Sequence, residues 1–258
     1  MLFSHAAPAV EPDGKGALQI VRARANGPAM QKIDENLTKV TARVHRAARL
    51  AGRNPSEIQL VAVSKTHPAE AVAQAWRHGQ RQFGESYLQE ALAKQSQLTE
   101  LEGLEWHFIG PIQSNKTRAI AQHFAWAHCV DREKVARRLS AQRPPELPPL
   151  QVCIQVNIDQ EASKAGLSLT GLPELAHQVA ALPGLQLRGL MAIPAPSTDP
   201  AQQRTSFARV REALETLQAQ GLALDTLSMG MSGDLEAAVA KGATLVRVGT
   251  DIFGPRRD

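Results

Sequence analysis

From Ile58 onward, short apolar runs alternate with segments whose apolar positions recur at the helical period, and this alternation restricts the fold more than any other property of the sequence. Ile58 to Val63 is too brief for a helix and is bounded by Pro55 and by the polar Ser64-Lys65-Thr66, so it predicts a strand ending at Lys65. Ahead of it, Ile33, Leu37, Val40, Val44, Ala47 and Ala51 share one helical face, with Gly52 as a stop. Further strands are expected at Gln82-Phe83, Trp106 to Ile109, Phe124 to Val130, Gln151 to Asn157, Leu185 to Met191, Thr226-Leu227 and Leu245 to Val248. The segments between them predict helices from Pro68 to His78, Tyr87 to Leu98, from Ser114, from Asp131 as N-cap, Pro173 to Ala181, Ala201 to Gln220, and Leu235 to Ala240.

Strands separated by crossover helices pair in parallel, and eight such units close most simply into a single (β/α)8 TIM barrel of the α/β class. An open doubly wound sheet is the alternative. The Pro-rich stretch Arg143 to Pro149 is a loop within this pattern rather than a linker, since a cut there would leave two incomplete barrels.

A chain of 258 residues suits one such domain, and its 43% hydrophobic and 21% charged residues are those of an ordinary globular protein. A net charge of +4 is spread along the sequence with no basic run, so nucleic acid is not an expected partner. Cys129 and Cys153 lie inside apolar runs and predict buried free thiols in a reducing, cytoplasmic setting. No apolar stretch approaches the roughly 20 residues that span a bilayer. Residues 1–29 lack a continuous apolar core and do not read as a secretory signal; the expectation is a poorly ordered extension ahead of a domain at residues 30–258, or else an upstream start codon with Met30 as the original beginning. The eight histidines and two cysteines show no metal spacing, and no nucleotide-binding glycine fingerprint occurs.

In a barrel of this kind the loops after the strand ends form the functional face. Lys65 follows the apolar Val61-Ala62-Val63-Ser64. Desolvation and neighbouring cations there would lower its pKa below roughly 10.4 and supply neutral amine for attack on an aldehyde. A lysine that merely caps the barrel rim is the plainer reading of the same residue. After the seventh strand, Ser228-Met229-Gly230-Met231-Ser232-Gly233-Asp234 leads into a helix with Ser232 as the expected N-cap; small residues, a hydroxyl and free amides suit an anion, although an ordinary capped turn accounts for them too. After the eighth, Arg247 and Gly249 fall on one side by period two, and Gly249-Thr250 adds amides and a hydroxyl. Loops seven and eight are the recurrent phosphate site of such barrels. His107 is expected to point inward as a satisfied core residue, and Gln113 to Lys116 to be a solvated helix start.

These motifs resemble the pyridoxal phosphate homeostasis family, also called the YggS or proline synthase co-transcribed family. The likeness runs from about Gln31 to Arg256 and includes LVAVSKTHP around Lys65, FGESYLQEA from Phe83, WHFIGPIQSNK from Trp106, VNIDQEASKAGL from Val156, LRGLMAIP from Leu187, SMGMSGDLEAAV from Ser228 and VRVGTDIFG from Val246. The resemblance implies a barrel like the amino-terminal domain of alanine racemase, with pyridoxal 5′-phosphate as an internal aldimine on Lys65. It further implies that the phosphate is held by Ser232, Gly249 and Thr250 together with Ser228, and that Arg247 faces the ring nitrogen, leaving it unprotonated and the electron sink weak. Ser86 stands where the family usually has Asn beside the cofactor ring.

The function so implied is intracellular cofactor homeostasis: a monomer that holds pyridoxal 5′-phosphate, with pyridoxal-phosphate-dependent apo-enzymes as its partners and no catalytic residue of its own. After Gly254 four residues remain, which leaves no second domain to bring a racemase's other base. The alternatives are a slow racemase, or a lysine Schiff-base aldolase active without the cofactor.

Overall fold

The computed structural model describes residues 28–159 and 165–255, with the backbone alone at residues 28–31; the expectations for residues 1–27, Lys164 and Arg256 fall outside the described residues. The first helix, α1, spans Pro28–Leu50. A 3-10 turn at Pro55–Glu57, capped by the Asn54 side chain, leads into β1, Gln59–Val63. Then follow α2 Ala69–Arg77, β2 Gln82–Glu85, α3 Leu88–Gln97 and β3 Glu105–Phe108. The middle of the chain gives α4 Thr117–His123, β4 Trp126–Val130, α5 Glu133–Gln142 and β5 Leu150–Val156. The remainder gives α6 Leu172–Ala180, β6 Leu185–Ala192, α7 Pro200–Ala219, β7 Thr226–Ser228, α8 Leu235–Ala240, β8 Leu245–Val248 and a final turn of helix, α9, Thr250–Phe253. The strands form a closed barrel in sequence order, every neighbouring pair parallel, which decides against the open sheet.

Most helix starts fall within one residue of the sequence expectation; one lies further off, and at two the expected cap is not made. The fourth helix begins at Thr117 rather than Ser114, because the Thr117 hydroxyl donates to the Ser114 carbonyl and Lys116 N–H bonds the Gln113 carbonyl, which makes Gln113–Lys116 a turn. Asp131 does not cap α5; its carboxylate pairs with Arg132 at 2.6 Å and the helix opens one residue later, from an uncapped Arg132. Ser232 is not the N-cap of α8, since Asp234 occupies that position and turns its carboxylate back onto the Met231 amide at 2.6 Å. A short polar side chain pairs with whichever nearby donor the loop brings to it, and in the last two cases that outcome depends on the loop rather than on the residue type.

The core lies between barrel and helices. Leu37, Val40, Val44, Ala47 and Ala48 of α1 are buried, each large member worth about 1.5–3 kcal/mol of apolar transfer. Charged contacts then fasten α1 to the end of the barrel: Arg43 forks onto Glu236 and reaches Asp251, while Asn36 donates to the Ile252 carbonyl. In β6 the ladder to β5 runs Val152↔Leu187 and then Cys153↔Gly189, so Arg188 is the extra residue of a bulge, and its guanidinium grips Asp225 at the foot of β7. Both cysteines are free and buried, and burial pushes the Cys129 thiol up to about 12, so neither behaves as a nucleophile.

Gly189 is where the barrel admits no side chain, because an added Cβ would lie 1.9 Å from the Thr226 carbonyl oxygen. Gly189→Ala is therefore expected to cost well over the roughly 1 kcal/mol of an average substitution. Urea unfolding followed by circular dichroism measures the loss; a midpoint equal to wild type would show that β6 and β7 are not held at this spacing.

Candidate functional site

The strand ends at one mouth of the barrel enclose a cavity of about 240 Å³. Of the residues singled out in the sequence, Lys65, Ser86, Ser232, Arg247, Gly249 and Thr250 all line it. Ser228 does not. It is fully buried beneath the cavity, where its hydroxyl oxygen accepts a hydrogen bond from Arg247 Nη1 at 2.6 Å. Ile193 and Met231, which are 40% and 39% exposed, complete the rim and leave the cavity open to water.

Lys65 enters from a tight turn after β1. Ser64 N–H still bonds the Gly84 carbonyl as a strand residue would, and His67 N–H closes the turn onto the Ser64 carbonyl at 3.1 Å. Between them Thr66 has φ 65°, a left-handed conformation that costs a β-branched residue on the order of 1–3 kcal/mol. Closure of β8 onto β1, with Val61↔Arg247 and Ala62↔Val248 in register, sets Lys65 against the β8 loop. On the β2 side Ser86 is held by the Gly110 backbone, which lies so close that an added Cβ would meet the Ser86 carbonyl oxygen at 2.4 Å.

Opposite Lys65, two loop segments offer donors. Among the described residues, no protein acceptor takes the amides of Ser232, Gly233 or Thr250, and the Ser232 and Thr250 side chains sit in the same walls. The helices that follow, α8 and α9, have six and four residues, so the local amides and hydroxyls rather than a long helix dipole supply the attraction for an anion. Asp234 bears on this electrostatically: burial raises its pKa, and its bond to Met231 N turns it away from the Ser232 and Gly233 amides.

Arg247 forms the floor. It is 4% exposed, and its partners among the described residues are neutral oxygens, Ser228 Oγ and, at 3.1 Å, the Ala192 carbonyl. Burial lowers its pKa, yet guanidinium stays protonated in proteins, so the floor is cationic and can only donate.

Below the floor a hydrogen-bonded chain crosses the barrel interior. Ser228 Oγ lies 2.7 Å from His128 Nδ1, His128 Nε2 is 2.9 Å from His107 Nδ1, and His107 Nε2 is 3.2 Å from Glu105 Oε1. Glu105 also accepts from Trp126 Nε1 at 2.9 Å. The bond from His107 holds the Glu105 carboxyl below its usual range, so it is ionised and can only accept. Donor and acceptor inventory then orders every link: His107 and His128 each carry their proton on Nε2, and the Ser228 hydroxyl donates to His128 while accepting from Arg247. Both imidazoles are fully buried, and desolvation lowers their pKa values, so they are neutral. His107 is the satisfied core residue expected from the sequence. His128 and Glu105 were not singled out there; the alternation Trp126, His128 along β4 marks one face but says nothing of which partners that face meets.

Comparison with known proteins was consistent along the chain. The alanine racemase N-terminal domain family matches residues 35–257. Proteins named pyridoxal phosphate homeostasis protein are 60% identical in Pseudomonas aeruginosa and 53% identical in Escherichia coli K12, each covering 88% of this chain and 97% and 98% of their own lengths. The solved structure of PipY from Synechococcus elongatus PCC7942 with PLP bound has a TM-score of 0.73 at 42% identity, covering 82% of this chain and 99% of PipY. Alanine racemase from Corynebacterium glutamicum shares the fold alone, with a TM-score of 0.63 at 19% identity over 62% of its length. Among the described residues no helix is long and apolar enough to cross a membrane, and no three metal-ligating side chains cluster.

The neutral interior histidines carry a pH signature. Their folded pKa values lie below the roughly 6.5 of an unfolded histidine, so the unfolded chain binds more protons and stability, complete above that pH, falls as pH drops below it. Each contributes at most about 1.4 kcal/mol per pH unit. Urea unfolding at pH 7.5 and 5.5 should show the decline, and His128→Gln should flatten it; an equal loss of stability in the two proteins would show that the fold does not depress the His128 pKa.

Proposed function

The chain belongs to the pyridoxal phosphate homeostasis family, built on the alanine racemase N-terminal domain fold, and from that premise we propose that it binds pyridoxal 5′-phosphate covalently through Lys65 and serves to hold and release that cofactor. The observation that carries this reading is the meeting, in one cavity, of Lys65 with a guanidinium floor and two loops of unpaired amides. These residues fit the group. An aldehyde needs an amine, a phosphate monoester needs donors, and a neutral ring nitrogen needs a donor that keeps its own proton.

In this assignment Ser232, Gly233, Gly249 and Thr250 bind the phosphate through backbone amides and hydroxyls. Ser86 would lie beside the ring, its hydroxyl one bond shorter in reach than the side-chain amide of the asparagine usual in the family. Arg247 would donate to the ring nitrogen, held for that role by its bond to Ser228. When bound, the cofactor supplies an aldehyde that bonds amines reversibly and a ring that accepts electrons. An arginine at the ring nitrogen cannot transfer a proton to it, which blunts the second property and leaves the first.

Reversible holding without a reaction of its own is therefore the role that these side chains support, and no residue is assigned a catalytic part. The exposed Ile193 and Met231 at the rim agree with exchange of the cofactor through the open mouth; that apo-enzymes receive it and that the chain acts as a monomer are parts of the same proposal. Two buried free thiols agree with a reducing, cytoplasmic setting.

Purified protein with pyridoxal 5′-phosphate is expected to show a visible absorption band that borohydride abolishes, with the added mass on the peptide containing Lys65. Lys65→Ala should lose both band and label. Label on another lysine, or a band that survives Lys65→Ala, would refute the assignment, and amino-acid racemisation at ordinary enzyme rates would refute the holding role.

A further inference from the structure

Behind the turn that carries Lys65 lies a buried charged cluster to which the proposed function gives no part. Lys94 of α3 is 4% exposed. Its ammonium donates to Glu85 Oε1 at 2.7 Å, to Glu90 Oε1 at 2.6 Å and to the Ser64 carbonyl at 2.7 Å. Glu85 Oε1 also accepts from the Ser64 hydroxyl at 2.6 Å, and Glu90 Oε1 accepts from the Thr66 amide at 2.6 Å. The residue before Lys65 is thus tied by carbonyl and hydroxyl, and the residue after it by its amide, to one cluster.

The geometry of the turn calls for such a hold. Thr66 is the one non-glycine residue with positive φ among the described residues, and its left-handed conformation is one that a β-branched side chain disfavours. Strained backbone of this kind persists where the surroundings over-determine it. A buried lysine shared by two carboxylates is also a poor source of stability, because apolar side chains of similar volume generally pack as well or better. What the charges supply that apolar groups would not is three directed hydrogen bonds to the two residues that flank Lys65. Glu85 directly precedes Ser86, so the same cluster joins the Lys65 turn to the neighbouring wall of the cavity.

We infer that Lys94, Glu85 and Glu90 are positioning residues, which hold the Ser64-Lys65-Thr66 turn in the conformation that delivers the Lys65 amine into the cavity and so set how readily that amine takes up an aldehyde. The inference rests on the reading of Lys65 as the covalent holder. Among the described residues the cluster makes no hydrogen bond to Arg247 or to the lining residues on the phosphate side, so its effect falls on the Lys65 turn and the adjoining Ser86 wall.

The test titrates the full chain and its variants with pyridoxal 5′-phosphate, following the visible absorption of the lysine adduct, beside thermal unfolding and exchange of the Thr66 amide measured without cofactor. Glu90→Ala removes the acceptor of the Thr66 amide and is expected to weaken apparent affinity about tenfold, the worth of one charge-assisted hydrogen bond. The Thr66 amide should exchange at least about tenfold faster in that variant. Glu90→Gln keeps an oxygen acceptor without the charge and should lose about threefold in affinity. Should Glu90→Ala fail to fold, Glu90→Gln decides on the same two measurements. A folded variant that binds as wild type does, whatever its thermal midpoint, overturns the inference, because a merely structural cluster would lower stability and leave affinity and Thr66 exchange untouched. Borohydride labelling of wild type separates the two levels: label at Lys65 with unchanged Glu90 variants removes only the positioning role, whereas no label at Lys65 removes both.

Discussion

The pairing of β8 with β1 is the constraint on which the rest of this structure depends. These strands lie near opposite ends of the described chain, and their register, from Gln59↔Leu245 to Ala62↔Val248, turns a run of parallel strands into a closed barrel. Closure leaves no exposed edge. It also decides the chemistry, because the amine enters after β1 while the guanidinium and the Gly249-Thr250 loop come from β8 and its end. Helix α1 packs across the seam, with Arg43 and Asn36 tying it to the segment after β8 and Arg43 also to Glu236 of α8. The first and last parts of the described chain thus hold each other in place at the cavity.

A barrel of this size fills its interior with side chains, and here much of the filling is polar. That choice is expensive in a low-dielectric core unless each group is satisfied. The series from Arg247 through Ser228, His128 and His107 to Glu105 meets the condition, with a cation at one end, an anion at the other and neutral links that all donate in the same direction. Arg247 therefore needs no carboxylate beside it in the cavity. A guanidinium held this way offers its remaining donors upward, to whatever acceptor the cavity receives. Trp126, stacked on His107 at 5.4 Å and covered by Arg188, closes the opposite mouth.

Much of this is legible in the sequence. The eight strands fall where apolar runs predict them, within a residue or two, and Leu245 to Val248 matches its expected bounds. Six of the residues marked as cofactor contacts line one cavity, since a lysine, glycines and hydroxyls placed just after strand ends must all emerge at the same mouth. The exceptions share a cause. Ser228 ends a strand and period two directs its side chain into the barrel, where only the neighbouring strands determine whether it meets a cavity or another side chain. Asp131 and Ser232 were placed by capping preference, which is weak against loop geometry.

What the sequence determined by itself is local: alternation of two periodicities within short segments, and the chemical type of residue at each strand end. Periodicity needs no knowledge of distant partners, because the spacing of apolar side chains within one segment already fixes which face must be buried. The tertiary structure alone decided which side chains meet. Lys94 finding Ser64, or His128 lying between Ser228 and His107, depends on the register and curvature of a closed sheet, and a one-residue slip of β4 would send His128 to the other face.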